Sequence, residues 1–273
     1  TGRTGTFKSE VAALVTQHFG PGLDARHLPG SWSSTENALE GLAFLFKDSV
    51  FTVDDFSPTG SPHEVQVLHR KADRLIRAQG NLSGRQRMRA DATLRPSRPP
   101  RGVILSTGED TPRGQSLQAR LIVVEFEEGA VDVEVLTACQ RDAASGAYAS
   151  TMSAFLAWIA PRYKEITDGL HDEMRVLRSQ VSFTKHRRTP AAIADLGLGF
   201  RYFLHFALES KALTGEEAKR VWRSGWDALR RAAEIQSRHQ VSSDPVIRFV
   251  ELLQSAIASG QGHLASVDGR VPQ

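Results

Sequence analysis

The sequence predicts an α/β fold with a mostly parallel sheet, followed by an all-helical region, and three observations carry that reading. Strand-like runs at 49–55, 102–107 and 121–126 alternate with helical patterns, the order that gives parallel strands joined by crossover helices. A pattern suited to a phosphate-binding loop stands directly before the first helix. Beyond about Leu136 strand-like runs stop and helical periodicity takes over. The division that follows is a core over 1–138 and a helical lid or accessory region over 139–273.

The chain opens Thr-Gly-Arg-Thr-Gly-Thr-Phe-Lys-Ser. The Walker A pattern asks for Gly, four free residues, Gly, Lys and Ser or Thr. Gly2, Lys8 and Ser9 fall at that spacing, with Phe7 where the second glycine belongs. In such a loop (here Gly2, Thr4, Gly5, Thr6 and Phe7) backbone N–H groups close around phosphate oxygens, and the following helix adds the positive end of its dipole. Lys8 would reach the β- and γ-phosphates of ATP and Ser9 would hold Mg²⁺. A Ser-capped, Gly/Thr-rich helix start is the plainer alternative. A P-loop needs a strand behind it, so the chain reads as an α/β P-loop core whose first strand is missing, that is, as a fragment.

The remaining elements follow in order. Residues 8–18 form a helix with Val11, Leu14 and Val15 on one face. Ser33 and Glu36 make a capping box ahead of an apolar helix over 38–46. The run 49–55 is a buried-type strand that delivers Asp54 and Asp55 to its C-terminal end, where open α/β sheets place their ligands. Asp54 is the candidate Mg²⁺ contact, and Asp55 the carboxylate that orients or deprotonates an attacking water. A strand ending in an acidic turn gives the same residues. Residues 64–78 read as a helix. The strand 102–107 ends in a polar tip, Ser106 or Thr107, placed to sense a γ-phosphate or position water. Arg120 stands just before the third strand, where an arginine could reach the site of a neighbouring subunit. Helices are expected over 150–159, 165–181, 191–209, 216–238 and 246–258, with Gly197 and Gly199 weakening the third.

Composition bounds the classes. The 273 residues, 40% hydrophobic and 24% charged, suit one large globular domain or two smaller ones. Cys139 is the sole cysteine, which excludes an internal disulfide and a CxxC zinc site. No apolar run reaches the roughly 18 residues of a membrane span and no signal peptide is visible, so the expected location is the cytoplasm, away from membranes. Net charge is only +3, yet ten basic residues between Arg70 and Arg101 face two acids, Asp73 and Asp91. Such a cluster is the footprint of phosphate-backbone binding, and its Arg content favours fork-like phosphate contacts. The alternation over 84–94 suits a β-hairpin. A solvated basic loop or a subunit contact is the alternative, and the lack of aromatics there argues against base stacking.

Together the segments 2–9, 31–40, 53–56, 80–88, 105–110 and 116–121 resemble the helicase-like P-loop ATPases encoded beside primases on phages and integrative elements, the Cch-like helicase group. The resemblance implies an AAA+-type core assembling as a hexameric ring, with ATP and Mg²⁺ between subunits, Arg120 acting in trans, and single-stranded DNA threaded through the ring. Arg85, Arg87, Arg89 and Arg95 would then lie on a pore hairpin, with a primase as a further partner. Two residues depart from the pattern: Phe7 in the loop, and Asp55 where a glutamate is usual. The function expected is an ATP-dependent DNA helicase or translocase of a mobile element. An NTPase switch or defence-type ATPase, or a DNA-binding scaffold with a degenerate nucleotide site, are the alternatives.

Overall fold

Three strands pair in parallel, β1 (Gly30–Ser31), β2 (Val50–Phe56) and β3 (Val103–Gly108), with β2 in the middle. They belong to a computed structural model that describes residues 1–181, 188–242, 245–263 and 265. Helices α2 (Glu36–Leu45) and α3 (Pro62–Asn81) make the crossovers between them, as parallel pairing requires, and α1 (Lys8–Thr16) precedes β1. The sheet is small and α/β in kind, and helices dominate the rest.

The core explains the order. Phe51, Val53 and Phe56 of β2 pack with Leu39 and Ala43 of α2, Ala72, Leu75 and Ile76 of α3, and Trp32 and Leu117. Trp32 meets Phe56 edge-on, ring centres 5.4 Å apart, a favourable aromatic geometry. On the α1 side the buried hydroxyls of Thr16 and Thr52 hydrogen-bond at 2.6 Å, which fixes α1 against β2.

Two local expectations are corrected. The helix expected at 38–46 starts earlier, at Glu36, and its cap is Thr35, whose hydroxyl accepts from the Ala38 N–H. Ser33 instead bonds Ser31, and the Glu36 carboxylate pairs with Arg74, so no capping box forms there. The box belongs to α3, where Ser61 and Glu64 cap each other's N–H groups. The run 121–126 is not a regular strand. It pairs with Thr1–Gly2 alone, through the Phe126 N–H to the Thr1 carbonyl at 2.7 Å and a parallel bridge between Gly2 and Phe126.

Past a short turn α4 (Gln115–Gln118), the helices are α5 (Val133–Ala144), α6 (Ala147–Ile159), α7 (Tyr163–Ser179), α8 (Arg188–Glu209), α9 (Gly215–Ser242) and α10 (Pro245–Ala258). The change of character placed at residue 138 falls inside α5, which Asp132 caps. Helix α5 joins α1 through Gln140 and Glu10, at 2.6 Å. A second core gathers Leu177 and Val181 with Ile193, Ala194 and Leu198 of α8 and Trp226 and Ala233 of α9. Helix α8 runs unbroken through Gly197, where a Cβ would stand 2.5 Å from the Trp226 ring; glycine is what lets α9 approach. Helix α8 is also long and apolar enough to cross a membrane; here its buried residues fill this second core. Gln236 of α9 fastens the two halves, its amide bonding the Val123 N–H and the Gln118 carbonyl. Residues 266–273 of the helical region lie outside the described residues.

Candidate functional site

Gly2 lies between β3 and Phe126, its N–H bonded to the Gly108 carbonyl at 3.2 Å. A Cβ on Gly2 would meet the Phe126 carbonyl at 2.4 Å, so the close approach requires glycine. Residues 3–7 therefore leave the sheet at the C-terminal ends of its strands. Thr6 closes the loop by donating to the Arg3 carbonyl at 2.8 Å. The Lys8 ammonium folds back onto that same carbonyl at 2.5 Å and onto the Thr6 hydroxyl at 3.3 Å.

Phe7 ends the loop in the left-handed conformation, φ 61° and ψ 21°. That is the conformation glycine supplies without steric cost, so the geometry at this position is the one for which the Walker pattern wants glycine. Gly5 is also left-handed, with φ 86°. Helix α1 then begins at Lys8 with no side-chain cap, as do α6 and α7, whereas Thr35, Ser61 and Asp132 cap α2, α3 and α5. No side chain takes up the first N–H groups of α1, and helix starts in that state can accept an anion.

Three side chains from three elements converge beside this helix start. The Ser9 hydroxyl donates to Asp54 Oδ1 at 2.7 Å. The Thr107 hydroxyl, from β3, donates to that same oxygen and accepts the Asp55 N–H at 3.2 Å. Asp54 Oδ2 has no hydrogen-bond partner among the described residues. Ser106, the other polar residue at the strand tip, turns away to accept the Trp32 indole N–H at 2.8 Å, which leaves Thr107 as the one that meets the acids. Asp55 sits at a register shift between Val53 and Phe56, with φ 65° and an exposed side chain. Bulges of this kind re-aim side chains next to sites.

A further acid stands at this strand end, one that motif spacing does not single out. Glu109, directly after β3, accepts the Thr4 hydroxyl on one carboxylate oxygen and stands 3.5 Å from the Ser57 hydroxyl with the other. It lines an open cavity of about 760 Å³ together with residues 1–6 and 125–128. Glu125, Glu127 and Glu128 line it too, so the cavity is rich in carboxylates. The signal available was position: Glu109 lies two residues beyond Thr107 on the same strand end.

Arg120 is not part of this group. Its guanidinium bonds the carbonyl and hydroxyl of Ser116 at 2.6 and 2.7 Å and Asn81 at 3.1 Å, and it packs over Gly80. Burial pushes its pKa down, and Arg188 and Arg77 add to that. A role in a neighbouring subunit would require these bonds to break.

The expected hairpin forms around Met88 opposite Leu94. The Arg89 N–H reaches Thr93 O and the Arg95 N–H reaches Arg87 O, both at 2.7 Å. The turn closes with the Ala92 N–H on Arg89 O at 3.1 Å and Ala92 at φ 62°, the arrangement of a three-residue loop ending in a left-handed residue. The basic cluster divides in two. Lys71, Arg74, Arg77 and Arg101 are engaged in the fold, and Arg87 pairs with Glu40 and Asn37 of α2. Arg85, Arg89 and Arg95 are exposed and have no acidic partner among the described residues, and the same holds for Arg70 of α3 and for Arg98, which lies over the Phe44 ring. The four arginines expected to bind nucleic acid are thus three free cations and one structural one.

No protein-family model, no curated protein and no solved structure matches the chain.

Proposed function

We propose that the chain binds a nucleoside triphosphate, with ATP the expected one, in the loop formed by Gly2, Thr4, Gly5, Thr6, Phe7, Lys8 and Ser9, and hydrolyses it in response to nucleic acid held by the hairpin. The observation that carries the reading is the meeting of Ser9, Asp54 and Thr107 on one carboxylate oxygen beside an uncapped helix start. The α1 N–H groups receive phosphate oxygens, and the Lys8 ammonium exchanges the Arg3 carbonyl for phosphate. Ser9 and Asp54 suit Mg²⁺, which takes one or two protein oxygens and completes its shell from water and phosphate. When bound, the ion neutralises charge on the transferring phosphoryl group. Thr107 holds Asp54 in place from β3. Arg85, Arg89 and Arg95 supply the backbone contacts of a single strand, without base reading. Ring assembly and translocation, with Arg120 acting in trans, extend the same reading.

A second reading has its own observation. Phe7 holds a strained conformation for a bulky residue, as a loop that no longer serves nucleotide could retain, and the chain would then be a nucleic-acid-binding scaffold. Titration with a fluorescent ATP analogue and Mg²⁺, and ATP turnover with and without single-stranded DNA, separate the two. Saturable binding that weakens at least tenfold in Lys8→Ala and Asp54→Asn, with DNA-stimulated turnover, is expected. DNA binding with no nucleotide bound would establish the scaffold. Turnover indifferent to DNA would make the chain a nucleotide switch.

A further inference from the structure

The nucleotide reading leaves open which carboxylate handles the attacking water, and we infer that it is Glu109, not Asp55; the inference rests on that reading. Asp55 has the sequence position for the task but not the setting. Its backbone is left-handed at φ 65°, its carboxylate has no hydrogen-bond partner among the described residues, and it does not line the loop cavity. Glu109 has the setting. One oxygen is held by Thr4 of the loop and the other lies near Ser57 beyond β2, so its carboxylate links the loop to the ends of β3 and the acid-bearing β2. It projects into the cavity that residues 1–6 enclose.

The chemistry follows from that place. A phosphate entering the loop competes for the Thr4 hydroxyl and brings negative charge beside Glu109, so Thr4 turns to the phosphate and frees the Glu109 oxygen. Glu109 accepts a proton from water as the water oxygen bonds the terminal phosphorus. The bond from that phosphorus to its bridging oxygen breaks, giving ADP and inorganic phosphate, and Glu109 returns its proton to solvent. Positioned general bases contribute roughly 10²–10⁴ in rate.

The test compares E109Q with D55N, since glutamine keeps an oxygen that accepts from Thr4 but cannot take the proton. Turnover in E109Q should fall about a hundredfold or more, while affinity for the fluorescent ATP analogue stays level or tightens because a like charge is gone. D55N should keep turnover within about tenfold of the parent, a loss below what a positioned base contributes. Turnover lost in D55N and kept in E109Q would overturn the inference. So would E109Q losing affinity as steeply as rate, which marks a loop support, or a parent chain that binds nucleotide without turning it over. Absence of nucleotide binding in the parent would instead remove the nucleotide reading itself.

Discussion

The conformation of Phe7 can be tested by the sign of a stability difference. Phe7→Ala and Phe7→Gly both remove the same ring, which is 40% exposed, so the lost packing is common to the pair and cancels between them. What remains is backbone. A left-handed residue with a Cβ costs roughly 1–2 kcal/mol, whereas glycine costs about 0.5–1 kcal/mol against alanine in unfolded-chain entropy. With φ at 61° the first effect wins, and Phe7→Gly should be more stable than Phe7→Ala by about 0.5–1 kcal/mol. At an ordinary φ the order reverses by a similar amount. Denaturant midpoints at matched slopes read the difference. Phe7→Ala proving the more stable would refute the left-handed assignment, and with it the argument that Phe7 occupies a glycine's place in a phosphate loop. The nucleotide reading adds that Phe7→Gly binds the ATP analogue at least as tightly as the parent.

Other perturbations address the remaining parts. Replacing Arg89 and Arg95 together by alanine should weaken single-stranded DNA binding evenly across sequences and shrink the slope of log affinity against log salt by about 1.4, two phosphates at roughly 0.7 each; an unchanged slope would remove the hairpin from the interface. Gly197→Ala should cost about 1–2 kcal/mol by denaturant midpoint, overpacking against Trp226 outweighing the helix gain, whereas Gly199→Ala, with open space around it, should gain up to about 1 kcal/mol. Burial raises the Asp195 carboxyl above its usual range, against a downward pull from Arg178. The folded state therefore binds this proton more tightly than the unfolded one, and stability from this group falls as pH rises from the unfolded value through the folded one. Asp195→Asn should raise the melting temperature at neutral pH and lose that advantage in acid; a pH-independent difference would count against the burial argument. Removing divalent cations with EDTA should weaken nucleotide binding by more than tenfold, since Glu109, Glu125, Glu127 and Glu128 border the loop cavity; equal affinity with and without the ion would argue against a site at Ser9 and Asp54.

Spacing made the centre of this site legible. Lys8 and Ser9 follow a glycine-bearing turn, and Asp54 and Asp55 end a β-branched and aromatic run. Both signals are local, and parallel α/β order brings strand ends and the loop to one side. The hairpin was legible for the same reason, since its alternation is a local property. Capping was less so: Ser33, Ser34 and Thr35 are all competent caps, and the choice fell to Thr35 because Arg74 claims Glu36 from another helix. Gly197 weakened a helix on paper because its reason, Trp226, lies on α9.

What sequence could not supply is neighbourhood. The loop segment runs beside β3, not beside β2, so the side chains standing between loop and acids come from β3. That placement makes Thr107 the link between Asp54 and Asp55 and brings Glu109 against Thr4, although Gly-Glu-Asp reads along the chain as a turn. The same limit split the basic cluster, because only the fold shows that Glu36 and Glu40 of α2 lie opposite Arg74 and Arg87. Charge counted along a sequence therefore overstates what is free to bind phosphate. Here three of the cations left without an acidic partner, Arg85, Arg89 and Arg95, lie on and beside one hairpin, and it is their placement, more than the net charge, that favours a strand as ligand.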